Sequence, residues 1–220
     1  MAITFPRDFP EPAVFELSDF DLDDNVVVSP TRGKTPDAAG IGPSLWRANF
    51  TTDILNPQEF AVWDSWLRSM RSGQKLFKAW PGRYEFPSAY PDGWGSLQIA
   101  MGGGPFTGQA VLDAVGGGND TIDLSGLPDG FTLNIGDFLA FTYDTSRRAL
   151  HEVQEQSIAD ANGDMTVTVE PLVQPGTSGA EAVDLEKPWA LMFPVKGSRS
   201  VENVNSFFRK LSFSAQQTDA

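Results

Sequence analysis

His151 is the only histidine of the chain and so the first residue to weigh as a general base. A histidine works in that role when a carboxylate orients it and a nucleophile lies within hydrogen-bond reach. The sequence nominates neither: His151 falls in the alternating run 149–156, which predicts a packed or surface position on a strand. Asp160, Asn162 and Asp164 match the first three ligand positions of a calcium loop, but no glycine follows Asp164 and the bidentate glutamate position is Pro171. That spacing predicts turn chemistry instead. The glycines at 102–104 and 116–118 precede no Lys-Ser/Thr pair and open no helix after a strand, so they read as loops or bulges. Acidic residues are numerous, yet nothing in their spacing singles out two that could face each other for glycoside cleavage. The chain has no cysteine, which excludes disulfides, zinc-thiolate sites and thiol nucleophiles. No catalytic, cofactor-binding or metal-ligating residue is expected, and the chain reads as a non-enzyme.

The most informative stretch runs from Ser44 to Phe86. Leu45-Trp46-Arg47-Ala48-Asn49-Phe50-Thr51-Thr52 reads as a strand. Asn56 is placed as N-cap, Pro57 at the first helical position and Glu59 three residues after the cap, which predicts a capped helix over about 57–72. Phe60, Trp63, Leu67 and Met70 recur at helical spacing, Trp66 widens the stripe, and Gly73 is placed to end the helix. Lys75–Trp80 then returns as a strand before Pro81-Gly82 breaks it. With Trp46, these side chains are the expected core of a packing unit. Trp94 is different: with Tyr90 it lies by a Gly-rich loop, where burial is the leading reading and an exposed aromatic contact, able to stack on a sugar or wedge into a neighbour, is the alternative.

These elements imply a mainly β protein with one helix. Residues 24–29 look like an early strand, followed by a Pro- and Gly-rich loop over 30–43. From about residue 85 the chain turns to short β signals at 110–115, 121–124, 131–135, 138–143 and 149–156. Asn162-Gly163 then precedes an answering run at 165–171, a hairpin signal. Two further strands are read at 190–195 and 207–215. The domain division that follows is 1–84 plus 189–220, a β-sandwich or barrel-like domain closed by the C-terminal strands. A small antiparallel barrel or sandwich is inserted at 85–188.

The 220 residues are 40% apolar, with 16 Phe, 6 Trp and 3 Tyr, enough for a substantial core. A net charge of −13 argues against stable nucleic-acid binding, which needs a basic footprint. The start of the chain has no basic region followed by an apolar stretch, and no apolar run approaches a membrane span, so synthesis as a soluble cytoplasmic protein is expected.

Several runs resemble one family. Leu-Trp-Arg-Ala-x-Phe (45–50), Trp-Leu-Arg-Ser-Met-Arg-Ser-Gly (66–73), Phe-Lys-Ala-Trp-Pro-Gly-Arg (77–83), Gly-Asp-Phe-Leu (136–139), Leu-His-Glu-Val (150–153), the run at 159–172 and Lys-Pro-Trp-Ala-Leu-Met (187–192) resemble tail-tip proteins of long-tailed bacteriophages, and among them the distal tail protein. The resemblance covers most of the chain from Leu45 onward. It implies a structural virion protein of the tail tip and baseplate, a homohexameric ring assembled in the host cytoplasm. The ring joins the tail tube protein to the tip or hub proteins and lets DNA pass, and an acidic lumen would let DNA slide without sticking. The family's second domain projects outward and in some phages resembles a sugar-binding module. The alternative function is therefore a carbohydrate-binding module for host attachment, with a host glycan as partner. No catalytic residue and no cofactor is carried over, and no role follows for the loop at 30–43.

Overall fold

The computed structural model describes residues 3–11, 13–29, 37–40, 42–82, 85–144, 147–177 and 179–218. The elements before the insertion are β1 (Phe15–Asp23), β2 (Val26–Ser29), β3 (Asp37–Gly40), β4 (Leu45–Thr52), α1 (Pro57–Ser69) and β5 (Phe77–Ala79). The insertion carries β6 (Gln109–Val115), β7 (Thr121–Ser125), β8 (Thr132–Leu133), β9 (Phe138–Thr142), β10 (Arg148–Val153), β11 (Ser157–Ile158), β12 (Met165–Glu170) and β13 (Glu181–Asp184). The chain closes with β14 (Ala190–Pro194), β15 (Ser200–Asn203) and β16 (Arg209–Gln217). The protein is mainly β, as its alternating patterns imply.

An antiparallel six-stranded sheet runs in the order β1-β4-β16-β14-β5, with β15 also pairing β16. Alternation along β4 turns Trp46, Ala48, Phe50 and Thr52 to the buried face, and β16 adds Leu211, Phe213 and Ala215. The opposite face is polar: Thr51 Oγ1 lies 3.0 Å from Ser212 Oγ, and Ser214 donates to Asn49 Oδ1 at 2.7 Å. One side packed and one side wet is the ordinary arrangement of an antiparallel sheet. Helix α1 begins as its residues require. Asn56 Oδ1 accepts from the amides of Gln58 and Glu59 at 2.9 and 3.0 Å, and Glu59 accepts from the Asn56 amide at 2.9 Å. Its stripe delivers Trp63, Trp66, Leu67 and Met70 to full burial, with Phe60 partly buried against them. The helix stops at Ser69, earlier than Gly73. Gly73 (φ +95) instead serves the tight turn beyond it, where an added Cβ would lie 3.1 Å from the Pro194 carbonyl.

In the insertion β10-β12-β7-β6-β13-β9 close into a barrel, with the β8–β11 pair beside it. The barrel interior is filled by Leu112, Ile122, Leu124, Leu139, Phe141, Val167 and others, all nearly inaccessible. Its chain leaves the sheet after β5 and returns to it at β14, neighbouring strands of that sheet.

Some local expectations are corrected. No strand is read before residue 24, yet residues 15–23 form the nine-residue strand β1, whose Phe20 and Leu22 alternate with Asp19, Asp21 and Asp23. The early strand is Val26–Ser29 and pairs with β3; the loop residues 30–36 lie outside the described residues. Phe207 and Phe208 are not strand residues. They sit exposed at the β15–β16 turn, because β15, unforeseen, needs a reversal there to pair with β16. β13 was also unforeseen. The Asn162-Gly163 turn joins β11 to β12, and β12 pairs along its length with β7, meeting β10 only at 152–153.

Candidate functional site

The seam between sheet and barrel gathers apolar contacts, buried hydrogen bonds and an ion pair. Phe138, Ala140 and Leu150 of β9 and β10 belong to the same apolar cluster as Trp46, Phe50 and Trp63. The Trp46 indole N–H donates to the Leu150 carbonyl at 2.7 Å, and the Trp46 amide donates to Gln217 Oε1 at 3.0 Å. Arg148 donates from Nε to the Trp189 carbonyl at 3.0 Å, pairs with Asp184, and lays its guanidinium 3.9 Å from the Trp189 ring centroid. Burial pulls the Arg148 pKa below its ordinary value, opposed by the Asp184 carboxylate. Buried Asp137 accepts from the amides of Ser88 (2.8 Å) and Asn134 (2.8 Å), pinning the incoming chain to the barrel. None of Arg148, Asp184, Asp137 or Gln217 was singled out from sequence. Gln217 keeps the inward phase of β16, which was a readable signal; the other three depend on distant partners.

His151 is 1% exposed, stacked on Phe141 at 5.2 Å, with Nδ1 2.7 Å from the Pro171 carbonyl. Desolvation lowers its pKa to about 4, so at neutral pH it is an uncharged ring donating from Nδ1. Its Nε2 is buried with no hydrogen-bond partner among the described residues, and no nucleophile is presented to it. Asp160 closes its own turn, accepting from the amides of Asn162 (2.8 Å) and Asp164 (3.0 Å), which lowers its pKa. Among the described residues no group of three or more His, Cys, Asp or Glu is placed to hold a metal ion. Glu152 and Glu170 face each other across β10 and β12, and burial raises the pKa of each, with Asp24 adding to the effect at Glu170. Like charges directly opposite oppose sheet pairing.

Trp94 and Tyr90, candidates for exposed contacts against a leading reading of burial, are half-buried in packing. Tyr90 stacks on Phe131 at 4.7 Å and its hydroxyl accepts from the Thr132 amide; Trp94 meets Phe106 edge-on at 5.0 Å and donates to Glu186 at 3.0 Å. Five rings (Phe86, Tyr90, Trp94, Phe106, Phe131) gather there because the Gly-rich segment folds back over the barrel end. Apart from Met101 in that segment, several large exposed apolar side chains lie elsewhere. Val14, Ile54 and Val62 line a groove of about 120 Å³ rimmed by Glu11, Asp53 and Glu59. Phe207 and Phe208, both exposed, directly precede Arg209, whose bridge partner Leu55 follows Ile54.

No family model matches the chain, and no curated protein matches it.

Proposed function

We propose that this chain is a non-enzymatic virion subunit that forms a ring at the distal end of a phage tail. The ring joins the tail tube to the tip proteins and lets DNA pass. What supports the reading, besides the family resemblance from Leu45 onward, is one observation: the barrel is inserted between two neighbouring sheet strands and lends Phe138, Ala140 and Leu150 to the sheet's core. Such a mounting holds a projecting module at a fixed angle to its base, as a load-transmitting tail component requires. The buried polar groups described above serve packing: His151 is neutral and enclosed, Arg148 is tied to Asp184 and Trp189, and Asp137 is spent on backbone amides. Immunogold labelling of the phage that encodes this chain, with antibodies against the barrel, should mark the distal end of the tail. Virions that lack the chain, or label elsewhere, would overturn the reading.

A further inference from the structure

Charge is unevenly distributed along the chain. Residues 65–84 and 187–201 contain eight of the sixteen Lys and Arg and none of the 29 acids. Residues 8–24 show the reverse, with seven acids and no Lys or Arg. Sheet order converts this into a spatial polarity. β1, from the acidic stretch, is one edge of the sheet, while β14 and β5, from the basic stretches, form the opposite side; Asp8 crosses this division to pair with Lys78 of β5, and Lys210 to pair with Glu16 of β1. The two edges also differ in closure. The β5 edge is covered by the chain's own start, where the Arg7 amide donates to the Leu76 carbonyl at 3.3 Å and the Lys78 amide to the Arg7 carbonyl at 2.8 Å. Among the described residues no strand pairs with the outer edge of β1.

Helix α1 repeats the polarity at its two ends. Near its start lies the apolar groove of Val14, Ile54 and Val62 with its acidic rim. Near its end lies a second hollow, of about 210 Å³, formed by Arg68, Ser72 and the β14–β15 turn, where Val195, Lys196 and Arg199 are exposed. Asp64 there pairs with both Arg68 (2.8 Å) and Arg199 (2.6 Å). Among the described residues Lys196 has no ion-pair partner, and Arg71 is exposed on the turn after α1, whose Ser72 lines the same hollow.

We infer that copies of this chain associate head to tail, the acidic, apolar-lined β1 side of one against the basic Arg71/Val195–Arg199 side of the next. Two different patches of one chain, each complementary to the other, define a heterologous contact, which closes into a ring when the rotation permits. An open strand edge and exposed valine and isoleucine side chains favour cover by a neighbour, and opposite charge selects which neighbour surface covers them. The inference rests on the ring reading proposed above and names the surfaces that would make it.

The test is a charge swap on exposed positions, followed by light scattering and negative-stain imaging. One variant carries Glu11→Lys and Asp53→Lys, the other Arg71→Glu and Lys196→Glu. Wild type should assemble, more weakly as ionic strength rises from about 0.05 to about 0.5 M. Each variant alone, with unchanged melting temperature, should associate at least about tenfold more weakly, a shift of roughly 1.4 kcal/mol. An equimolar mixture should restore the assembly, because each variant then meets a complementary side. Rings that persist in both single variants would overturn the inference and leave the ring reading standing. A wild type that stays monomeric at every concentration, together with virions unlabelled at the tail end, would overturn both.

Discussion

His151 shows how burial decides what a titratable residue can do. The unfolded chain takes up a proton there near pH 6.5, whereas the folded chain does so only near 4. The stability contributed by the neutral ring is full above 6.5 and is lost as pH falls towards 4, about 3 kcal/mol over that window. Glu152 and Glu170 slope the other way, since their raised pKa values make the folded state bind protons first as pH falls. Urea unfolding of wild type and His151→Asn at several pH values isolates the histidine: the wild type should lose the larger share of stability between pH 6.5 and 4. An imidazole that titrates near 6.5 in the folded protein would refute the burial account. Trp94 offers a second residue-scale expectation. A Cβ at Gly108 (φ +83) would lie 2.6 Å from the Trp94 indole nitrogen, so Gly108→Ala should displace the ring from Glu186. The cost should be about 1–3 kcal/mol, with red-shifted tryptophan emission as the readout; unchanged emission would mean the ring has room to stay.

Among the elements, α1 depends most visibly on its first turn. Asn56 and Glu59 satisfy amides that nothing else in the helix can reach. Asn56→Ala should cost about 1 kcal/mol and lower the melting temperature by about 2–4 °C, measured by circular dichroism. Asn56→Asp should retain most of the stability, because its carboxylate accepts the same amides and favours the helix N-terminus. β1 shows the limit of reading an element by composition. Its acids suggest a solvated lead, yet period-two placement of Phe20 and Leu22 lets it pair with β4 and bury them beside Trp46 and Phe50.

For the whole molecule, the apolar seam that joins the sheet's core to the barrel predicts one cooperative transition. Trp46 carries that coupling, through its contact with Phe138 (5.6 Å) and its hydrogen bond to the Leu150 carbonyl. Trp46→Ala should cost about 3–5 kcal/mol and separate barrel from sheet, giving two calorimetric transitions where wild type gives one. A single transition in the variant would show that Arg148, Trp189 and Gln217 suffice to bind the parts together. No helix among the described residues is long and apolar enough to cross a membrane.

By itself the sequence determined what depends on near neighbours: the Asn56–Glu59 cap, the apolar stripe of α1, the alternation of β4 and β12, and the two acid-free stretches. These follow from helical and strand periodicity and from local hydrogen bonding, so they are legible without knowing the fold. Tertiary structure alone decided the rest. Trp94 is packed because the barrel end lies beneath its loop, and Asp137 and Arg148 are buried because partners 36 to 49 residues away reach them. Phe207 is exposed because β15 reverses the chain just before it. The charge bias was already written in the chain, but only the strand order β1-β4-β16-β14-β5 turned it into two opposed sides. Pairing between distant strands is what no local pattern can encode, since each strand's inward face is compatible with many partners.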